Sequence, residues 1–167
     1  MLLAVDVGNT NICFAIYDGE KQVKQWRVET NHFLKIPALE DAENIDDIIA
    51  CSVVPDINGV LKKACMAHYF KEPIFVTHEN IDIDINIDDP KQLGADRMVG
   101  ASGAAAYYQT PCVIVDFGTA TTFDVINEKS AHQGGIIASG VRLSLKALEE
   151  AAAQLEDIDI EKPNFNR

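Results

Sequence analysis

Apolar residues in the first thirty positions come in short runs separated by turn residues. Leu2 to Val5 is a continuous apolar run, the kind carried by a strand buried on both faces. Gly8-Asn9-Thr10-Asn11 predicts a tight turn, and Ile12 to Tyr17 a second strand. Asp18-Gly19 is the sharpest hairpin signal in the chain, and Gln22 to Val28 reads as a third strand. The chain thus opens as an antiparallel meander. After Glu29 come a polar stretch with one short helix and a buried strand over Asp47 to Val54. Pro55 suits the first turn of a helix with Ile57, Leu61, Ala64 and His68 on one face. Pro73 to Thr77 predicts a further short strand, so the order of elements makes a mixed α/β sheet.

Between Glu79 and Pro90, Ile81, Ile83, Ile85 and Ile87 alternate with Asp82, Asp84, Asn86 and Asp88. The acidic spacing resembles the start of an EF-hand loop, which needs Gly at its sixth position and Glu at its twelfth. Ile87 and Leu93 stand there instead, so a strand with one wet acidic face is the expectation. From Gly94 the period changes. Met98, Ala101, Ala105 and Tyr108 recur at helical spacing. Val113 to Val115 reads as a buried strand ending in Asp116, followed by a turn over Gly118 to Thr122. Two more strands follow, Phe123 to Ile126 and residues 133–140. Val141, Leu145, Leu148, Ala152 and Leu155 then mark one face of an amphipathic helix, with Glu149-Glu150 on its solvated side.

Composition narrows the class. With 47% apolar and 24% charged residues, the 167-residue chain can form one domain or two small lobes and is not disordered. Fourteen Lys+Arg against 26 Asp+Glu give a net charge of −12, a field that repels phosphate backbones, so no nucleic-acid partner is expected. Cys13, Cys51, Cys65 and Cys112 form no CxxC pair and read as free structural thiols in a reducing compartment. The opening MLLAVDVGNT has neither a basic flank nor an apolar stretch long enough for a leader or a membrane span. A cytoplasmic protein is expected. His32, His68, His78 and His132 make no metal pattern, and Trp26 reads as core.

The chemistry lies in a repeated device. LLAVDVGNTN and VIVDFGTATT are each an apolar strand, an Asp, X-Gly, then small hydroxyl or amide residues. Glycine lets the backbone approach a phosphate, and successive turn N–H groups point at its oxygens. Asn9, Thr10, Thr119 and Thr121 can add side-chain donors. An Asp beside a phosphate implies an intervening cation. Two such loops facing each other would clamp the tail of a nucleotide, and their recurrence suggests a duplicated lobe. No Walker A and no G-x-G-x-x-G pattern occurs.

DVGNTN near the start, GADR at 94–97 and DFGTATTFDVI at 116–126 resemble the type III pantothenate kinase family. SVVP at 52–55, GGIIASG at 134–140 and the LKALEEAAAQL helix fit the same pattern. The resemblance implies an α/β fold of duplicated ribonuclease H-like lobes, as in actin-like ATPases and sugar kinases. The lobes would span 1–90 and 91–167, the second incomplete at its C-terminus. It also implies ATP-dependent phosphorylation of pantothenate, the first step of coenzyme A synthesis.

The resemblance places the nucleotide loop on Asp6, Val7, Gly8, Asn9, Thr10, Asn11, Ile12 and Cys13, with Asp6 handling the magnesium of ATP. It places a further ATP contact on Thr119, the monovalent cation (K+ or NH4+) on Asp116, and pantothenate on Gly94, Ala95, Asp96 and Arg97. Asp96 matches the catalytic base, and Arg97 is suited to grip the pantothenate carboxylate. Read without the family, GADR is a helix start with Asp96 in the first turn and Arg97 in a surface ion pair.

A homodimer is implied too, with the 94–108 helix at or near its two-fold. Gly100, Ala101, Gly103, Ala104, Ala105 and Ala106 leave that helix little bulk. The chain departs from the family pattern in a short 30–45 segment, in Ile87 where relatives often carry tyrosine, and in Ser139 for a common proline. A catalytically impaired relative with a regulatory or binding role is the competing expectation.

Overall fold

The computed structural model describes residues 1–35, 39–40 and 44–151. The expected meander forms from β1 (Leu2–Val7), β2 (Asn11–Asp18) and β3 (Lys21–Glu29), all paired antiparallel. Gly19 takes φ +59 at the first of two loop positions, as a II′ hairpin requires, and Asp18 faces Lys21 across it. After α1 (Thr30–Lys35), β4 (Asp47–Ser52) lies parallel to β1. Helix α2 (Pro55–Tyr69) leads to β5 (Ile74–Phe75), and the strand order is β3-β2-β1-β4-β5.

Alternate residues of β1 and β2 build one face of the core. Leu3, Val5, Val7, Ile12, Phe14 and Ile16 are all at most 3% exposed. Phe33 of α1 and Ile57, Leu61 and Cys65 of α2 close over them, fully buried. The buried row of α2 continues through Cys65 to Tyr69, each four residues on, whereas His68 lies outside it and is exposed. Trp26 packs as expected, half-buried and stacked on Phe14 with ring centroids 4.9 Å apart.

Burial of β1 and β4 on both faces is corrected. Leu2 and Ile49, on the opposite face, are each 39% exposed, because α1 and α2 cover only the other side.

Helix α3 (Ala95–Tyr107) packs against β4 and leads to a second sheet of β6 (Cys112–Phe117), β7 (Ala120–Ile126) and β8 (His132–Ser139). These three strands are antiparallel in sequence order. The expected buried strand over Val113 to Val115 is a strand but not a buried one, with those two residues 59% and 43% exposed. No described helix covers that side of β6. Helix α4 (Val141–Ala151) buries none of its residues, and Ala152 and Leu155, expected on its face, lie outside the described residues.

The acidic segment is also corrected. Residues 79–90 form turns and bends rather than a strand, with one isolated bridge between Ile85 and His132. The four isoleucines are nonetheless half-buried and the acidic positions exposed, as the alternation predicts. Side-chain patterning set the burial. Backbone pairing failed because only Asn86 N–H to His132 O and His132 N–H to Asp84 O, each 2.8 Å, find ladder partners.

All four cysteines are unbridged. No described helix is long and apolar enough to cross a membrane.

Candidate active site

The two sheets bring the repeated devices face to face. Asp6 is the penultimate residue of β1, and Asp116 the penultimate residue of β6. The turn after β1 is tied by Gly8 N–H to Asn11 O at 3.0 Å. Thr30 locks it further, its hydroxyl donating to Gly8 O at 2.7 Å and its N–H to Thr10 O at 3.0 Å. The turn after β6 is closed by Gly118 N–H to Ala120 O at 2.9 Å and Gly140 N–H to Thr119 O at 3.1 Å. A Cβ at residue 140 would collide with the carbonyls of Gly118 and Thr119, so this approach requires glycine. Across the gap the Thr10 and Thr119 hydroxyls share a hydrogen bond of 3.1 Å.

Three carboxylates lie close enough to act on one another. Burial raises the Asp6 pKa above its ordinary 3.8, and the charges of Asp96 and Asp116 raise it further. A hydrogen bond from Cys51 and the charge of Arg27 only partly oppose this. Asp6, Asp96 and Asp116 all keep exposed edges, so a ligand can reach them. Cross-strand register aligns Arg27, Cys13, Asp6 and Cys51 in one row over β3, β2, β1 and β4. Arg27 Nε donates to Cys13 Sγ at 3.3 Å. Burial beside Asp6 pushes the Cys51 thiol up to about 12, so it stays protonated and serves as a donor.

Hard carboxylate oxygens and an uncompensated negative charge suit a divalent cation. Among the described residues, no three His, Cys, Asp or Glu side chains are grouped so as to hold one unaided. The donor set fits a cation that takes its remaining ligands from outside these side chains.

GADR opens α3. Gly94 is its N-cap and Asp96 lies in the first turn, where Oδ1 accepts the Arg97 N–H at 2.8 Å. The surface ion pair expected of Arg97 is instead buried. Its Nε bridges both carboxylate oxygens of Asp124 at 3.0 Å, and Nη2 lies 2.7 Å from Oδ1 without hydrogen-bond alignment. That edge of the guanidinium is occupied within the protein, so it does not offer a free fork to a substrate carboxylate.

Not every residue of the predicted loop can use its side chain. Val7 and Ile12 are fully buried in the core and Ala95 is 8% exposed, which leaves only their backbone groups to meet a ligand. Gly8, Asn9, Thr10, Asn11 and Cys13 lie at the surface or half-buried beside Asp6. Sequence reasoning missed Arg27, Cys51, Asp124 and His132. Their signal is strand pairing, since β3, β2, β1 and β4 align Arg27 and Cys51 with Asp6, and β7 beside β8 brings Asp124 to His132.

The family model described as type III pantothenate kinase matches residues 2–167. A type III pantothenate kinase of Geotalea daltonii is 41% identical over 176 residues, covering 98% of this chain and 69% of its own length. One from Caulobacter vibrioides is 41% identical over 181 residues, covering 100% and 69%. Among solved structures, a Campylobacter jejuni protein described as a conserved Baf family transcriptional activator superposes with a TM-score of 0.61 at 24% identity. That alignment covers 99% of this chain and 68% of the other, and it bears on the fold alone. A family match over nearly the whole sequence, with close relatives of one name, shows that the chain belongs to the type III pantothenate kinase family.

Proposed function

We propose that the gap between the two sheets transfers the γ-phosphoryl group of ATP to the primary hydroxyl of pantothenate, giving 4′-phosphopantothenate. Family membership supports the reaction, and the observation that carries the site is that the charges of Asp96 and Asp116 bear on Asp6 while the Thr10–Thr119 hydrogen bond joins the two turns. The competing reading, a non-catalytic regulatory protein, is not favoured by that membership.

A primary hydroxyl is a poor nucleophile, and Asp96, exposed in the first turn of α3, is assigned to take its proton as the phosphoryl group transfers. The turn N–H groups around Gly8 to Asn11, with Thr10 and Thr119, are suited to the phosphates. Asp6 would hold the magnesium brought with ATP, which would supply charge neutralisation at the phosphates. Asp116 is assigned the monovalent cation, K+ or NH4+. Gly94 to Arg97 are assigned to the acceptor side, Arg97 through the part of its guanidinium that Asp124 leaves uncommitted.

The matching first-strand Asp devices support a pair of duplicated lobes, 1–90 and 91–167. A cytoplasmic homodimer is part of the same reading. Ala101 and Ala104 are buried within the subunit, so the contact would use the exposed Gly100, Ala106 and Tyr107 of α3. Sedimentation of Ala106→Glu against wild type tests it, and a wild-type monomer at high concentration refutes it.

ADP release dependent on both ATP and pantothenate, stimulated by potassium or ammonium, is the deciding assay. Release without pantothenate, or with sugars in its place, would overturn the substrate assignment.

A further inference from the structure

Behind the carboxylates lies a buried polar cluster that the phosphoryl-transfer scheme does not use. Asp124, in the middle of β7, is 3% exposed, and His132, the first residue of β8, is fully buried. Asp124 accepts from Arg97 as described, and its Oδ1 also lies 2.6 Å from His132 Nε2. His132 Nδ1 has no partner among the described residues, and the ring's hydrogen bond is that of an Nε2 proton donated to Asp124. The carboxylate thus takes hydrogen bonds from two sides.

The cluster is built for close fit. Residue 135 faces Asp124 in the β7–β8 register, and a Cβ there would strike both Arg97 Nη2 and Phe123 O. The same His132 fixes the acidic segment through its backbone bonds to Asp84 and Asn86. At the other end, the Arg97 N–H holds Asp96 Oδ1. A continuous path runs from Asp124 to the Arg97 guanidinium, along that residue to its amide, and onto the Asp96 carboxyl.

We propose that Asp124 is a positioning residue, which by tethering Arg97, with His132 bracing it, fixes the first turn of α3 and the orientation of Asp96. This rests on the kinase reading, because Asp96 must be the base for its orientation to matter in turnover. Arg97 is then chiefly a strut within the protein. A bare structural ion pair would serve stability alone, and replacing such a pair by apolar residues is often neutral or stabilising. A tether would not be restored that way.

The test compares Asp124→Asn, Arg97→Met and the double variant Arg97→Met/Asp124→Leu with wild type. Tm, kcat, both KM values and amide hydrogen exchange over residues 94–98 are measured. Asp124→Asn is expected to lower kcat by about 10–100-fold, the scale of a misplaced catalytic group, with KM for ATP and pantothenate within about twofold. Amide exchange at Arg97 and Met98 should quicken. The double variant should recover Tm but not kcat. Recovery of both, a wild-type kcat in Asp124→Asn, or a loss confined to pantothenate KM would each overturn the proposal. If Asp124→Asn does not fold, the double variant decides by amide exchange over residues 94–98 at recovered Tm, where faster exchange supports the tether and exchange as in wild type overturns it. Wild type that releases no ADP with pantothenate defeats the kinase reading instead. In that event faster exchange in the variants still supports the tether, and unchanged exchange refutes it.

Discussion

The two meanders, β1–β3 and β6–β8, share a strand order and an Asp at the same place but differ in what covers them. The inward residues of β1 and β2 are sealed under α1 and α2, at most 3% exposed. In the second sheet Val113, Phe117, Ile136 and Ile137 are between 59% and 73% exposed. Yet both first strands end in an Asp–x-Gly turn closed by backbone hydrogen bonds. The device thus depends on local strand and turn geometry rather than on a sealed core. The second sheet is anchored near the site by Ile126 and the Arg97–Asp124–His132 cluster instead.

The sharpest challenge to this comparison is Asp96→Asn, because the charge of Asp96 bears, with that of Asp116, on Asp6. Loss of a general base costs on the order of 10²–10⁴ in kcat, with Tm nearly unchanged for an exposed side chain. Steady-state kinetics beside thermal melts checks both halves, and undiminished turnover removes Asp96 from the mechanism.

Packing provides the next contrast. Leu61→Ala opens the sealed core and should cost about 2–5 kcal/mol, whereas Val113→Ala on the exposed face should stay within about 0.5 kcal/mol. Urea unfolding of both variants measures the difference. Equal losses would mean that the second sheet is covered in solution.

Asp116→Ala should abolish activation by potassium while changing pantothenate KM little, since the second device is assigned the monovalent ion. A potassium titration indistinguishable from wild type would break the pairing of the two Asp residues.

The smallest effect concerns Asp6. Its folded pKa lies above the ordinary 3.8, so within that window the folded protein keeps a proton the unfolded chain has lost. Stability accordingly falls as pH rises through the window, and above it the cost of the ionised group remains. Asp6→Asn should flatten this dependence and raise Tm at neutral pH without nucleotide, while weakening magnesium-dependent ATP binding. Melts across pH, without metal, decide the matter. A steeper dependence in the variant would reverse the sign argued here.

Much of the site is legible in the sequence because its parts are local. Asp6, Gly8 and Thr10 lie on one turn, Asp116 and Thr119 on another, and Asp96 in a helix start. Each is encoded within a few residues by apolar runs, glycine and hydroxyl side chains. The partner of Arg97 is not legible in the sequence, because Asp124 lies 27 residues away and a surface and a buried ion pair look alike there.

By itself the sequence determined the two meanders, the Asp18-Gly19 hairpin, the α2 and α3 helices and the alternating burial of residues 79–90. Periodicity and turn chemistry act over neighbouring residues, and they suffice there. Only the tertiary structure decided that Cys51 lies beside Asp6, that Arg97 turns to Asp124, and that residues 79–90 bridge at Ile85 instead of forming a strand. Those outcomes depend on which distant backbone or charge arrives as a partner. A buried polar group must be paired, and no local pattern names the residue that pairs it.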